Sequence, residues 1–170
     1  MAEHTNYEDD FLKDMRKYEY REMFEKADNI VLGFTASAGA TGAIPIPFAD
    51  APLLIAQQVA MMVAINSVFA FDIERDALAS LATAVFGIGG ATVLGKTVVS
   101  NLLKFLPGVG SAAGGAISAG AAGAITFALG KAYIEVCRAI KMGKLDQDDL
   151  TKKAGLDLLK KYFQEQWKKN

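Results

Sequence analysis

Charged residues are almost absent from the middle of this chain. Between positions 30 and 130, only seven of 101 residues are Asp, Glu, Lys or Arg. They leave four uncharged stretches, at 30–49, 51–71, 77–95 and 105–130. Each stretch is close to or above the length that a helix needs to cross a bilayer. The pattern leaves two kinds of structure open, a closely packed helical bundle or a set of membrane hairpins.

The composition does not decide between these structures. The uncharged stretches contain more Ala and Gly than Leu and Ile. In the chain of 170 residues, an apolar fraction of 52% and a mean hydropathy of +0.22 are high for a soluble protein and modest for a protein with many membrane spans. Residues 1–29 carry four more acids than bases, and residues 131–170 carry four more bases than acids. A basic tail beside an apolar core suits an anionic membrane surface, and a solvated helix face is the alternative.

The residues that usually carry chemistry are scarce. Cys137 and His4 are the only cysteine and histidine, and they lie far apart in sequence, so neither a zinc site nor a Cys–His nucleophile is supported. We expect Cys137 to be a small buried apolar group. No basic and aromatic pattern indicates nucleic-acid binding. The sequence therefore predicts no enzyme activity, no metal, no cofactor and no nucleic-acid partner.

Turn-forming residues divide the chain into helices. Proline removes a backbone donor and disfavours helix in the residue before it, and aspartate is a good helix N-cap. The residues that we predict to form turns and caps are Pro45, Pro47, Asp50, Pro107 and Gly108. The helices expected from this division are Ile30 to Ile44, Asp50 to about Ala70, one from Ile73 under an Asp72 cap, and about Ser111 to Met142 with Gly143 as the stop.

Amphipathic segments flank this core on both sides. In residues 7–28, apolar side chains recur at helical spacing on one side, which predicts an arm that lies on the core. A last amphipathic helix is expected to start at Asp146 or Asp148. The predicted fold is all-α, a bundle of two Gly/Ala-rich helical hairpins between two amphipathic helices. Its parts are an N-terminal arm at 1–28, the hairpin core at 29–143 and a C-terminal helix at 144–170.

Small residues recur every four positions in two parts of the core. Such rows let helix backbones approach closely, within a chain or between copies. Each glycine in a helix interior costs roughly 1 kcal/mol relative to alanine, so we expect packing to compensate. The residues predicted to serve helix packing or self-association are Gly87, Ala91, Gly95, Gly110, Gly114, Gly115, Ser118 and Gly123.

One string matches a nucleotide-binding pattern. Residues 90–97 fit the P-loop G-x-x-x-x-G-K-[ST], in which Lys96 would reach the phosphates and Thr97 the magnesium ion. Val93 and Leu94 are bulky where an anion nest favours small side chains, and the chain lacks the parallel strands of a nucleotide fold. A small-residue helix face with Lys96 at its end explains the string better. A small P-loop protein remains an alternative that we do not favour.

Several motifs in the core are similar to those of a known family. They occur in order at 43–50 (AIPIPFAD), 89–96 (GGATVLGK), 106–110 (LPGVG), 114–117 (GGAI) and 128–130 (ALG). Across roughly residues 29–141, the chain resembles the YcjF-like domain of unknown function, a helical module often found C-terminal to Era-type GTPase domains in bacteria. The resemblance implies helices throughout, and membrane association or partnership with a GTPase. The 28 residues before the core are too few for a GTPase domain, so no catalytic residue carries over.

Together, the residues and the resemblance predict a non-catalytic helical module, membrane-associated or scaffolding, that works with a GTPase. A soluble protein-interaction or self-assembling domain is the alternative. We expect the chain at the bacterial inner membrane or its cytoplasmic face, with a cytoplasmic location as the alternative. The partners left open are a GTPase, a membrane and further copies of the chain in a homo-oligomer.

Overall fold

The described backbone is mostly helical, with connections at 70–74 and 142–152. A computed structural model describes residues 3–41, 50–86 and 114–169, with side chains at 10–39, 55–85 and 123–168. The elements are α1 (Glu3–Thr41), α2 (Asp50–Phe69), α3 (Arg75–Phe86), α4 (Gly114–Lys141), a 3-10 turn (Gln147–Asp149) and α5 (Lys153–Lys169). The predicted all-α class is confirmed. Among these helices, none combines enough length with enough hydropathy to cross a bilayer.

The first helix is longer than predicted. It runs for 39 residues without a break at position 28, where the sequence analysis separates the arm from the core. Asp28 and Asn29 favour caps and turns over helix interiors. They do not end α1 because Ala27 and Val31, on either side of them, are fully buried in the core. Tertiary packing here outweighs local propensity.

α1 runs antiparallel to its two main neighbours. Against α2, the Phe24 and Phe69 ring centroids are 5.4 Å apart and Gln57 Nε2 donates to Ser37 Oγ at 3.1 Å. Along α4, residue numbers likewise fall as those of α1 rise, and the contacts that show this are Phe24 with Arg138, Asp28 with Lys131, Val31 with Gly130 and Thr35 with Gly123. α2 and α4 are therefore parallel to each other.

This arrangement gives the bundle two different ends. The C-terminus of α1 and the N-termini of α2 and α4 lie together at what we term the proximal end, which consists of Thr41, Asp50 and Gly114. The distal end carries the connections at 70–74 and 142–152, where Gln147 Nε2 donates to the Asp72 carbonyl at 3.1 Å. In sequence, residues 42–49 connect α1 to α2, and residues 87–113 connect α3 to α4.

The core is formed by large apolar side chains from all five helices and the turn before α5. Each fully buried Leu, Met or Phe contributes roughly 1.5–3 kcal/mol to folding. The largest fully buried apolar side chains are Tyr133, Phe69, Phe163, Met61, Met62, Ile65, Leu78, Leu129, Leu150, Leu159 and Val31. Cys137 is also fully buried, which confirms its predicted place in the core.

An aromatic cluster joins α1, α2 and α4 near the distal end. Phe69 packs edge-on against Phe24 and lies stacked on Phe71, with centroids 5.4 and 5.8 Å apart. Two cations of the last turn of α4 lie on its outer rings, with Arg138 at 4.3 Å from Phe24 and Lys141 at 5.1 Å from Phe71. These cation–π contacts place basic residues at the negative end of the α4 dipole.

The C-terminus of α4 is where the sequence predicts it. Gly143 has a φ of 68°, which is the left-handed conformation that glycine adopts at little cost. Its N–H donates to the Ile140 carbonyl at 3.0 Å, and the Lys144 N–H donates to the Ala139 carbonyl at 2.8 Å. These two bonds form a Schellman cap. Gly143 is therefore confirmed as the stop signal.

Two helices start later than predicted. α3 begins at Arg75, and the Leu78 N–H donates to the Glu74 carbonyl at 3.1 Å. Glu74 therefore takes the capping position that the sequence analysis gives to Asp72. α5 begins at Lys153 because residues 147–149 form a separate 3-10 turn. Several acids lie close together at each start, and local sequence does not select one of them.

Candidate interaction surface

α1 and α4 pack tightly at Gly130. A Cβ atom on Gly130 would lie 2.6 and 2.7 Å from the two methyl groups of Val31 and 3.0 Å from Met61 Sδ. Real Cβ atoms do not approach so closely, so the helix spacing depends on the absence of this one carbon. Gly123, farther along the same contact, is looser, since its Cβ would lie 3.5 Å from the Thr35 carbonyl oxygen.

Two buried hydrogen bonds join α2 to α4. Gln58 Nε2 donates to Thr126 Oγ1, and the Tyr133 hydroxyl donates to Asn66 Oδ1, both at 2.7 Å. Gln58 Oε1 and Asn66 Nδ2 are buried without a hydrogen-bond partner in the described ranges. An unpaired buried polar group costs about 1–3 kcal/mol, so these pairs add little net stability. Any other register of α2 against α4 would break these hydrogen bonds and would therefore be less stable.

Two buried acidic groups of α4 stay protonated. Burial raises the pKa of the Cys137 thiol far above its usual value of 9.0. Burial also raises the pKa of the Tyr133 hydroxyl well above 10.0, and the nearby Cys137 adds to the effect. A thiol reacts as the thiolate, so burial disfavours the reactive form of Cys137 in the folded chain. Among the side chains that can be described, no three His, Cys, Asp or Glu residues are close enough to hold a metal ion.

The buried thiol and phenol make folding sensitive to alkali. In the unfolded chain Cys137 and Tyr133 lose protons near about pH 9 and 10, whereas burial keeps them protonated in the folded chain. The folded state therefore binds more protons above about pH 9, and stability falls as pH rises, by about 1.4 kcal/mol per pH unit for each group. Denaturant unfolding at increasing pH measures this fall. In Cys137→Ala the fall should begin about one pH unit later, and a flat profile would contradict the assignment.

α1 extends past the rest of the bundle at the distal end. Its contacts with α4 run from Thr35, beside Gly123, to Phe24, beside Arg138. Continued at the same register, the last residue of α4, Lys141, lies beside the turn of α1 that contains residue 19. The part of α1 at residues 3–18, which we term the overhang, projects about 24 Å beyond α4.

The overhang carries an apolar stripe that is largely exposed. Its side chains are exposed by 65% at Phe11, 53% at Leu12, 45% at Met15 and 56% at Tyr18. At about 100° per residue, this stripe lies roughly 150° around α1 from the side on which Ala27, Val31 and Ala38 are buried. The predicted arm therefore lies on the core only from Met23 onward. For residues 11–18 that prediction is wrong.

A groove continues the same side of α1 toward the bundle. It encloses about 730 Å³ between α1 and α2 and is open to solvent. Its residues are Glu19, Glu22, Met23, Lys26, Ile30, Ala64, Ser67 and Val68. The stripe and the groove together form an elongated surface along α1 and the adjoining part of α2, and we consider it the candidate interaction surface.

The predicted site residues fall into three groups. Gly123 lies at the α1–α4 contact. Asp50, Gly114, Gly115 and Ser118 belong to helices, but their side chains are outside the described ranges. The predictions that lie wholly outside the described residues concern Pro45, Pro47, Gly87, Ala91, Gly95, Lys96, Thr97, Pro107, Gly108 and Gly110. For the last two groups the packing and turn roles stay predictions.

The residues that fix the helix contacts carry weaker sequence signals than the predicted ones. Gly130 stands in the sequence only within a family motif, although a Cβ atom there would have no space against Val31 of α1. The amides of α2, at Gln57, Gln58 and Asn66, are a usable signal, since amides in a largely apolar helix need partners. The exposure of the apolar stripe had no local signal, because residues 11–18 have the same helical spacing as the buried positions that follow.

Comparison with known proteins yields a family match and a distant relative. The profile described as "Domain of unknown function (DUF697)" matches residues 8–164. The chain is 29% identical over 113 residues to "Magnetosome membrane protein 22" of Magnetospirillum gryphiswaldense. This match covers 64% of the chain and 56% of the relative, so the chain spans little more than half of that protein. No solved structure matches the chain.

Proposed function

Because the chain belongs to the DUF697 family, a domain of unknown function, we propose a function from its own features. It is a non-catalytic helical module that associates with a membrane through its proximal end and works with a GTPase. The membrane contact and the GTPase partnership have different kinds of support.

The proximal end supports the membrane contact. Three described helices start or stop there, and the sequences that adjoin them, 42–49 and 87–113, contain only two charged residues, Lys96 and Lys104. Strongly apolar sequence combined with positive charge suits an anionic membrane surface. The charged connections at 70–74 and 142–152 belong to the distal end. The relative from M. gryphiswaldense is named as a membrane protein, which supports membrane association.

The protonated state of the buried ionisable groups of α4 supports a non-catalytic role. Cys137 and Tyr133 are the buried residues of α4 with ionisable side chains, and burial holds both in the protonated form. Their surroundings are apolar side chains and the Asn66 amide. This arrangement suits a helix contact and provides neither a nucleophile nor a general base.

Flotation with lipid vesicles tests the membrane contact. The full chain should float with vesicles of phosphatidylcholine mixed with phosphatidylglycerol, and less with phosphatidylcholine alone. Each lysine at an anionic surface contributes about 1 kcal/mol, so Lys96→Glu combined with Lys104→Glu should lower binding by more than about tenfold. The matched control is Lys153→Glu with Lys168→Glu on α5, which should float like the wild type. A wild-type chain that floats with neither lipid contradicts the membrane contact.

The GTPase partnership is supported by the resemblance to the YcjF-like domain. The same chain, affinity-tagged and expressed in its source organism, should retain a protein with GTPase activity through purification. If the chain retains none under conditions that preserve vesicle binding, the GTPase is not a partner and the membrane contact is unaffected.

A further inference from the structure

We propose that the overhang of α1 pairs with the same segment of a second copy of this chain, in antiparallel orientation. The occupied surface would be the apolar stripe of Phe11, Leu12, Met15 and Tyr18. Exposed apolar side chains grouped on one helix face are typical of partner-binding sites. This pairing is independent of the membrane contact at the proximal end, since the overhang lies at the distal end.

The charges beside the stripe favour self-pairing. Asp10, Asp14, Lys17 and Arg21 follow one edge of it at helical spacing, with two acids first and two bases after them. If two overhangs lie antiparallel about a point between residues 15 and 16, Asp10 faces Arg21 of the second copy and Asp14 faces its Lys17. The two-fold axis repeats both pairs, which gives four opposite-charge contacts. In a parallel pair each charge would face its own copy, which is repulsive.

The contacts that these charged side chains make within α1 are weak enough to be replaced by contacts with a second copy. Asp10 Oδ1 is 3.3 Å from Lys13 Nζ, and both side chains are more than two-thirds exposed. Arg21 lies 5.6 Å from the Tyr18 ring. Solvent-exposed contacts of this kind are worth little, so they exchange readily for contacts across a helix pair.

The charge balance of the same region disfavours lipid as the occupant. From Asp10 to Lys26 α1 carries five acids and five bases. Helices that lie on anionic membranes have a polar face rich in Lys and Arg. A polar face on which acids and bases balance is typical of helices that pair with other helices.

The length of the overhang limits the strength of the pairing. Two helices of about four turns bury less surface than the roughly 1,600 Å² of a standard stable interface. We therefore expect a concentration-dependent dimer that dissociates on dilution. Such a weak contact gains strength when several copies are held on one surface, because the local concentration rises.

Complementary charge variants test the orientation and the occupant together. In the acidic variant, Lys17→Asp and Arg21→Asp make the edge of the stripe wholly negative. In the basic variant, Asp10→Lys and Asp14→Lys make it wholly positive. Sedimentation equilibrium of the full chain, in a detergent or buffer that keeps it dispersed, should show each variant dimerising at least tenfold more weakly than the wild type. Mixing the two variants should restore dimers of mixed composition.

A matched pair of stripe variants provides the control. Met15→Glu places a charge in the stripe and should abolish the dimer, whereas Leu32→Glu changes an equally exposed leucine of α1 outside the overhang and should not. Circular dichroism reports whether each variant remains helical. The proposal is overturned if the wild type stays monomeric at high concentration, or if the acidic variant dimerises as well as the wild type. It is also overturned if Met15→Glu alters vesicle flotation but not the dimer, because lipid is then the occupant.

Discussion

Phe69→Ala is expected to lower the free energy of unfolding by about 3–5 kcal/mol, the usual cost of removing a buried aromatic ring. Phe69 is fully buried at the centre of the aromatic cluster, in contact with Phe24 of α1 and Phe71 after α2. Its loss leaves a cavity where three parts of the chain meet, and these parts cannot close it without moving α1 against α2. Denaturant unfolding followed by circular dichroism measures the change.

Phe11→Ala is the matched control, since it makes the same substitution at a ring that is 65% exposed. Away from the core a substitution usually changes stability by less than about 0.5 kcal/mol. The comparison is made at high dilution, where pairing of the overhang contributes nothing. Equal losses for the two variants would mean that the aromatic cluster does not organise the bundle.

Gly130→Ala is expected to destabilise the chain by about 1–3 kcal/mol, the range for overpacking a close contact. Alanine favours helix over glycine by roughly 1 kcal/mol, so propensity alone predicts the opposite sign. The added methyl group would overlap both methyl groups of Val31. Val31 has no room to turn away because it is fully buried. α1 and α4 must then separate, and thermal unfolding should show a lower midpoint.

Substitutions at two other glycines serve as controls for this prediction. At Gly33, a Cβ atom meets nothing within 4 Å, so Gly33→Ala should stabilise α1 by up to about 1 kcal/mol. At Gly123, the nearest atom to a Cβ is at the ordinary contact distance of 3.5 Å, so Gly123→Ala should be tolerated. If Gly130→Ala behaves like Gly33→Ala, the α1–α4 contact is looser than described.

The three glycines also show where a row of small residues misleads. The sequence analysis selected Gly123 because other small residues precede it at four-residue spacing, and it did not select Gly130. Both lie on α4 against α1, yet only Gly130 is at the point where a Cβ has no space. A repeat of small residues predicts that helices approach closely. It does not locate the closest point, because that depends on the side chain that the other helix places there.

The interaction surface shows a second limit of sequence reasoning. Phe11 and Phe24 belong to the same amphipathic pattern, and the sequence analysis placed both on the core. Phe24 packs there, against Phe69, whereas Phe11 is exposed. The difference arises because α4 ends at Lys141 while α1 continues past it. The length of one helix relative to another is a tertiary property, so no local pattern could have assigned the two rings differently.

By itself, the sequence determined that the described chain is helical and that α4 ends at Gly143, because these features depend on contacts within five or six residues. It also predicted that Cys137 is buried. Only the tertiary structure decided which hydrogen-bond partners the amides of α2 have and which apolar side chains remain uncovered. The physical reason is distance along the chain, since the bonds that set the helix positions join residues 67, 68 and 103 apart. Such pairings follow from packing the whole bundle at once.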